Sequence, residues 1–198
     1  MFAGLKQSGK NTAAVAMAEV FQEKGFTTKE HAFADELRLH LSLLDPVVST
    51  TSGMRWNTAI DAVGYDRARA AYPEMRRLMQ VYGTEVIRDR VDKQFWASKL
   101  VSKIEADEAQ VHLITDTRFK NEYGLMYNKF EVSPIWIRNT ALETAAQKDP
   151  HASERPDLVF GCSMQIYNDG TLEEFLTACR DYASILVRDK FTAKRGKK

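Results

Sequence analysis

The segment Met1-Phe-Ala-Gly4-Leu-Lys-Gln-Ser-Gly9-Lys10-Asn-Thr12 opens the chain and nearly fits the pattern G-x-x-x-x-G-K-[ST]. An apolar stub precedes Gly4, and the stretch 12–24 predicts a helix that stops at a glycine. Glycines let the backbone curl so that successive N–H groups face anionic oxygens, and the positive end of the following helix adds to the attraction. We therefore interpret residues 4–12 as a phosphate-binding loop; an ordinary glycine-bearing turn is the alternative.

Two features of this segment depart from the pattern. The hydroxyl side chain that usually follows the lysine and ligates Mg²⁺ is replaced by Asn11, and Thr12 comes one position later. Thr12, Asn11 or a water molecule is therefore the candidate for that place at the metal. The strand stub has only residues 1–3, whereas a buried strand usually takes about five. Either the strand is unusually short, or the natural protein starts upstream of Met1.

Strand-like and helix-like segments alternate along the rest of the chain. Strands are predicted at 29–34, 111–115, 132–137 and 164–167. Helices are predicted at 35–44, 74–82, 92–106, 120–127 and after the capping box that starts at Thr171. Gly83 is expected to interrupt a helix, and residues 46–65 and 139–157 are expected to be loop-rich. This order predicts a parallel sheet with helices on both faces and ligands beyond the carboxyl ends of its strands.

Composition narrows the class of protein. The chain has 198 residues, 44% of them hydrophobic, and a net charge of +1, which excludes disorder of the whole chain, collagen and coiled coil. This charge also argues against a dedicated nucleic-acid binder. Residues 190–198 form a basic tail that we expect to be solvated. Cys162 and Cys179 have neither metal spacing nor a disulfide framework, and neither a membrane span nor a signal peptide is visible, so a cytoplasmic protein is expected.

Six blocks of the sequence resemble the bacteriophage deoxynucleoside monophosphate kinases, which belong to the P-loop kinases. The blocks are GLKQSGKNT (4–12), FADELR (33–38), YPEMRRLMQVYGTEVIRDRVDKQFW (72–96), ITDTRFKNE (114–122), HASE (151–154) and YNDGTLEEF (167–175). Together they run in order over most of the chain. The resemblance implies transfer of the γ-phosphoryl group of ATP to a (deoxy)nucleoside monophosphate, with Mg²⁺ as cofactor, and it favours a homodimer.

The resemblance also implies an architecture. The expected fold is a three-layer αβα P-loop kinase with a five-stranded parallel sheet. A single domain would span 1–189, with a helical acceptor-binding insertion at about 45–106 and a lid at about 139–157 that closes over the phosphates. The basic tail, 190–198, would follow that domain. The HASE element, with His151, Ser153 and Glu154, would lie at the far end of the lid.

The ATP side needs groups that bind phosphate, metal and adenine. Lys10 is the candidate for the β- and γ-phosphates. Asp116 ends a predicted strand and is, with Thr12, the candidate metal ligand; capping of the next helix is its alternative role. Arg138 is the candidate for stacking on adenine, and Asn168 is a hydrogen-bonding candidate or an ordinary turn residue. The expected ATP-binding set is Gly4, Lys6, Ser8, Gly9, Lys10, Asn11, Thr12, Arg138 and Asn168.

The acceptor monophosphate carries close to two negative charges and suits the fork of a guanidinium group. Arg77 is favoured over its neighbour Arg76, and surface ion pairs are the alternative for any of the arginines. Asp35 would orient the acceptor phosphate, accept a hydrogen bond from metal-bound water, or cap a helix. Gln80 is positioned to recognise the base. The expected acceptor-binding set is Arg38, Arg77, Gln80, Thr84, Arg88, Trp96 and Arg118; the catalytic set is Lys10, Asp35, Arg38, Asp116 and Arg118.

The sequence leaves the roles of four aromatic residues undecided, and it allows several alternative functions. Tyr82 and Trp96 suit either base stacking or the core, and Trp56 and Tyr65 fall within the predicted insertion. One alternative function is a P-loop kinase for another small phosphorylated acceptor. A second is a catalytically silent nucleotide-binding protein, which Asn11 keeps possible. A nucleic-acid-binding module that uses the basic tail is the most distant alternative; the expected partners are ATP and a monophosphate, with no membrane and no nucleic acid.

Overall fold

The computed structural model describes residues 1–146, 162 and 164–192, without the side chains of 145, 146 and 190–192. The chain divides into two compact units. The core unit comprises Met1–Ala32 and Val101–Lys198, and the insertion unit comprises Phe33–Leu100. The insertion unit overlaps the insertion predicted at about 45–106 but begins and ends earlier along the chain, and the acceptor-binding role of that segment stays a prediction.

Helices and short strands follow one another along the described residues. In chain order they are β1 Phe2–Ala3, α1 Lys10–Glu23, β2 Thr28–His31, α2 Ala34–Leu44, β3 Val47–Ser49, β4 Met54–Arg55, α3 Trp56–Val63, α4 Tyr65–Ala71, α5 Pro73–Gln80, α6 Phe95–Glu105, β5 Val111–Ile114, α7 Lys120–Lys129, β6 Ile135–Arg138, α8 Thr140–Ala146, β7 Met164–Tyr167 and α9 Leu172–Leu186. Two π-helical segments, Val81–Val91 and Val187–Thr192, continue α5 and α9. None of the described helices combines the length and the apolar character needed to cross a membrane.

The core unit contains parallel β-sheet, as predicted, but its strands do not form one continuous ladder. β1, β6 and β7 form a three-stranded sheet, and β2 and β5 form a separate parallel pair. The prediction of one five-stranded sheet is therefore wrong. The reason is that β1 has only two residues, and on the side of β5 it is bridged to Thr117, which lies beyond the end of that strand, rather than to β5 itself. That bridge still places the segment after β5 beside the end of β1.

Helices α1 and α9 pack against this sheet because each presents an apolar stripe to it. Buried Met17 and Phe21 of α1 and Phe175 of α9 join Phe2 and Ile137 of the strands in one core cluster. The predicted capping box starts α9: Glu174 N–H donates to Thr171 Oγ1 at 3.3 Å, and the Glu174 carboxylate accepts the Thr171 N–H at 2.8 Å. These local signals made the sequence a good guide to the core unit.

Two segments predicted to be loop-rich contain regular structure. The stretch 46–65 forms the β3–β4 hairpin and α3, because Trp56 and Ala59 bury one face of that helix. The stretch 139–157 begins with α8, whose first turn is capped by Asn139 Oδ1, which accepts the Leu142 N–H at 3.0 Å. Residues 147–157, the rest of the predicted lid, lie outside the described residues.

The predicted helix break at Gly83 is also wrong. The chain continues from α5 into the π-helical segment, which contains both Gly83 and Thr84. A Cβ atom at Gly83 would lie 2.5 Å from Leu37 Cδ2, so the glycine lets the Leu37 side chain of α2 pack close, and a larger residue would make that side chain shift. Trp96 Nε1 donates to the Gly83 carbonyl at 2.8 Å, within the apolar cluster of the insertion unit.

Candidate active site

The candidate phosphate loop, residues 4–12, leaves β1 and enters α1 through two glycines in conformations that favour glycine. Gly4 has φ 144° and Gly9 has φ 104°. A Cβ atom at Gly4 would overlap the Ile137 carbonyl oxygen, and one at Gly9 would lie 2.7 Å from Asn168 Nδ2. Both positions therefore require glycine for backbone conformation and for space. The loop curls as the sequence predicts, packed against the ends of β6 and β7.

Lys10 closes the curled loop on itself. Its Nζ donates to the carbonyl oxygens of Gly4 at 3.0 Å and Leu5 at 2.6 Å. The hydroxyl of Ser8 is fully buried in the same loop, and no described residue forms a hydrogen bond with its Oγ. An ammonium group is thus held over the main chain of a loop that contains a buried hydroxyl. The other predicted members of the loop, Lys6, Asn11 and Thr12, are exposed.

Asn168, which lies far from the loop in sequence, holds it through hydrogen bonds. Its Nδ2 donates to the Ser8 carbonyl at 3.0 Å, and its own carbonyl accepts Asn139 Nδ2 at 2.7 Å. The Asn168 N–H donates to the Arg138 carbonyl at 2.8 Å. The sequence predicted an adenine contact or a turn role for Asn168. Its side-chain amide contacts the phosphate loop, between residues 160 positions apart, which no local pattern indicates; the adenine contact stays a prediction.

The turn with Asp116 and Arg118 lies beside the end of β1. Thr117 N–H donates to the Phe2 carbonyl at 3.3 Å. Buried Glu122 orders the turn, since its Oε2 accepts the N–H groups of Arg118 at 2.8 Å and Phe119 at 3.0 Å. Helix α7 thus begins after Phe119, so the alternative that Asp116 caps it is wrong. Sequence reasoning missed Glu122, because its only signal is an acidic residue in the first helical turn.

Arg138 ends β6 with its guanidinium group already engaged. Its Nε and Nη2 donate to the two carboxylate oxygens of Glu143 at 2.9 and 2.5 Å. Its guanidinium carbon lies 5.2 Å from the ring centre of Tyr167. The charged hydrogen bonds hold the pKa of Glu143 below its ordinary value and raise the pKa of Arg138. The predicted adenine-stacking group is therefore ordered by α8 and β7. His151, Ser153 and Glu154 lie outside the described residues.

In the insertion unit, Asp35 and Arg38 form an ion pair on α2. Arg38 Nη1 donates to Asp35 Oδ1 at 2.7 Å, and each side chain keeps 38% of its surface exposed. Helix α2 has Phe33 at its N-cap position and Asp35 inside its first turn, so the capping alternative for Asp35 is wrong. The Arg38 guanidinium carbon also lies 5.2 Å from the ring centre of Tyr65. Arg38 is thus ordered by a carboxylate and an aromatic ring.

The remaining acceptor candidates lie along α5 and its π-helical continuation. Arg77 is exposed and forms two hydrogen bonds with Glu74, at 2.7 and 2.6 Å, which lower the pKa of Glu74. Its neighbour Arg76 is half-buried. Gln80, Thr84 and Arg88 are half-buried as well. Trp96 is only 8% exposed and donates to a backbone carbonyl, so its indole serves the core of the unit.

The groups available for a metal are oxygen donors. Among the described residues, no three His, Cys, Asp or Glu side chains gather into a metal cluster. Mg²⁺ usually takes one or two protein oxygens together with substrate phosphates and water, so it needs no such cluster. The exposed Thr12 hydroxyl at the start of α1 and the half-buried Asp116 carboxylate are hard donors that fit this ion.

Comparisons with known proteins identify the family. A sequence model described as deoxynucleotide monophosphate kinase matches residues 68–178, more than half of the chain, which includes the Asp116 turn and Asn168. Among solved structures, the chain is similar to the Mycobacterium tuberculosis APS kinase CysC in complex with AMPPNP and APS, with 14% identity, 93% of this chain and 94% of that chain covered, and a TM-score of 0.49. The comparison with curated proteins found no match. The chain belongs to the deoxynucleotide monophosphate kinase family and is an ATP-dependent phosphotransferase.

Proposed function

We propose that this protein transfers the γ-phosphoryl group of ATP to a deoxynucleoside monophosphate, with residues 4–12 holding the triphosphate. The observation that carries this proposal is the lysine-closed loop, with two glycines in conformations and spaces that other residues do not fit. It holds a cation beside a curled main chain at the start of α1, and this combination suits a polyphosphate. The products would be ADP and a deoxynucleoside diphosphate.

On the ATP side, we propose that Lys10 exchanges its two carbonyl partners for oxygens of the β- and γ-phosphates. The exchange keeps the ammonium group hydrogen-bonded in both states, so it avoids the cost of leaving a donor unpaired. Arg138 and Asn168 end β6 and β7 and would form the adenine side. Arg138 would keep its ion pair with Glu143 in this role, because stacking uses the face of the guanidinium group and none of its N–H donors.

We propose that Thr12 and Asp116 hold Mg²⁺, with Asn11 in the place of the usual hydroxyl. When bound, the ion neutralises negative charge on the phosphoryl group that is transferred. The bridge between Ala3 and Thr117 supports this pairing, since it places the Asp116 turn beside the strand that leads into the phosphate loop. Glu122 would act as a positioning residue for that turn.

On the acceptor side, we propose that guanidinium groups bind the monophosphate. Arg38, Arg77 and Arg118 are the leading groups, and Gln80, Thr84 and Arg88 would contact the rest of the acceptor. Two of these arginines are paired with a carboxylate, Arg38 with Asp35 and Arg77 with Glu74. Each pair is half-exposed, so a phosphate with two negative charges competes effectively with the carboxylate for the N–H groups of the guanidinium.

Product chromatography with ATP, Mg²⁺ and a panel of all ribo- and deoxynucleoside monophosphates tests the function. We expect conversion of at least one deoxynucleotide, and a loss of about 100- to 1000-fold in kcat/KM for Lys10→Ala, since one charged donor to the transferring group is removed. Lys24→Ala changes an exposed lysine at the other end of α1 and is the matched control. Near-normal turnover by Lys10→Ala would contradict the assignment of the loop.

The same panel separates the alternatives that the sequence left open. Turnover with another small phosphorylated acceptor alone would identify a different P-loop kinase, and tight ATP binding without any turnover would identify a silent nucleotide-binding protein. A homodimer is part of the proposal and is tested by light scattering of the purified chain. Phage origin and a cytoplasmic location stay predictions from the resemblance and the composition.

A further inference from the structure

We propose that Tyr65 is a positioning residue for acceptor binding, which it serves by holding the guanidinium plane of Arg38. This inference rests on the proposed acceptor role of Arg38. The geometry that carries it lies entirely within the insertion unit. The Arg38 guanidinium carbon is 5.2 Å from the centre of the Tyr65 ring, and Arg38 Nη1 donates to Asp35 Oδ1 at 2.7 Å.

The Tyr65 ring is itself held in place by residues of other helices. Its hydroxyl donates to Met79 Sδ at 2.9 Å, and its ring centre lies 6.3 Å from that of the fully buried Trp56. Gly64, with φ 81°, lets the chain turn from α3 into α4 and makes Tyr65 the first residue of α4. The ring is therefore held by α3 and α5, and it contacts an arginine on α2.

Asp35 and Tyr65 act differently on Arg38. Asp35 competes with a phosphate for the same N–H donors, so it orders the arginine but must yield when the acceptor binds. An aromatic face takes none of the N–H donors, because it attracts the guanidinium group through its π-system. Tyr65 can therefore keep Arg38 in place both before and after the acceptor binds. Arginine carries large side-chain entropy, so holding its plane in advance favours binding.

The test is a double-mutant cycle on the KM for the best deoxynucleotide acceptor, with Tyr65→Leu, Arg38→Ala and the combined variant. We expect Tyr65→Leu to raise that KM about three- to tenfold, with the KM for ATP unchanged and kcat within about twofold. In the Arg38→Ala background, the same substitution should have no further effect on the acceptor KM, because its target is gone.

Three variants separate positioning from packing. Tyr65→Phe keeps the aromatic face and should restore the wild-type acceptor KM. Met79→Leu removes the sulfur that accepts the tyrosine hydroxyl but leaves the ring and its contact with Trp56, so it should change that KM by less than about twofold. If Tyr65→Leu fails to fold, Tyr65→Met retains more of the side-chain length without a π face and should show the same rise in KM.

Each outcome has a distinct meaning. Equal effects of Tyr65→Leu in the wild-type and Arg38→Ala backgrounds, or an effect shared by Tyr65→Phe, would overturn the role of Tyr65 and leave the kinase function standing. Failure of the wild-type protein to phosphorylate any nucleoside monophosphate would overturn the proposed function and this inference together.

Discussion

The residues proposed to hold ATP and those proposed to hold the acceptor are ordered in different ways. The phosphate loop of the core unit depends on backbone conformation, with two glycines that leave no room for a Cβ atom and a lysine hydrogen-bonded to loop carbonyls. The acceptor arginines of the insertion unit depend on side-chain partners, Asp35 and Tyr65 for Arg38 and Glu74 for Arg77. Substitutions in the two regions should therefore fail in different ways.

The largest effect is expected at Gly4. Gly4→Ala would place a Cβ atom into the Ile137 carbonyl oxygen at φ 144°, so the loop must move or distort. We expect loss of ATP binding by isothermal titration and a decrease of about 1–3 kcal/mol in the free energy of unfolding. Gly124→Ala is the matched control, since Gly124 lies in α7 with nothing within 4 Å of an added Cβ atom and should gain about 0.5–1 kcal/mol. If Gly4→Ala bound ATP with wild-type affinity, the claim that the ATP site depends on the backbone conformation of the loop would be contradicted.

The next largest effect is expected from the hydrogen bond between Asn168 and the phosphate loop. Asn168→Ala removes the hydrogen bond to the Ser8 carbonyl, worth about 1–1.5 kcal/mol, and should raise the KM for ATP about tenfold. The acceptor KM should stay within twofold, because the insertion unit is untouched. Asn128→Ala, at an exposed position of α7, is the control. An equal rise in both KM values would show that the hydrogen bond between Asn168 and Ser8 stabilises the whole fold rather than the phosphate loop alone.

The converse result is expected for Asp35→Asn. Asp35 gives up Arg38 when the acceptor binds, but it also orders this arginine beforehand, and we expect the loss of that order to outweigh the relief of competition. The acceptor KM should therefore rise about three- to fivefold while the KM for ATP is unchanged. Steady-state kinetics with each substrate varied in turn measures both constants. Asp61→Asn, on an exposed face of α3, is the control. A large fall in kcat would instead favour the other hypothesis, that Asp35 acts through metal-bound water.

The smallest effect is expected outside both regions, at the capping box of α9. Thr171→Ala should lower the free energy of unfolding by about 1 kcal/mol and leave both KM values unchanged. Hydrogen bonds from the Thr171 N–H and hydroxyl hold the pKa of Glu174 below its ordinary value. Its contribution is therefore present above the unfolded pKa and is lost as the pH falls through the folded pKa.

Thermal unfolding at neutral and acidic pH checks that prediction. The difference between wild type and Thr171→Ala should shrink in acid, because the Glu174 carboxylate then no longer accepts the Thr171 hydroxyl. Thr144→Ala, which removes an exposed hydroxyl in α8 that bonds to its own helix, should change stability by less than about 0.5 kcal/mol at either pH. A difference that grows in acid would contradict the role of the carboxylate.

Local patterns predicted the elements of the core unit better than those of the insertion unit. The strand β5 and the cap of α9 are confirmed, since each depends on neighbours within a few residues. The helix break predicted at Gly83 was wrong, because this glycine serves the close approach of Leu37. Trp96 shows the same limit, since its indole is buried in the core. A glycine or tryptophan needed for packing is the same residue type as one needed for a turn or for ligand binding, so the sequence alone does not distinguish these roles.

The amino-acid sequence by itself determined the curled phosphate loop, the alternation of strands and helices and the family, because backbone conformation and helix capping depend on short stretches of chain. Only the tertiary structure decided which partners hold the functional groups in place: Asn168 for the loop, Glu122 for the Asp116 turn and Tyr65 for Arg38. These contacts depend on how helices and strands pack, and packing joins side chains whose spacing follows no repeating pattern.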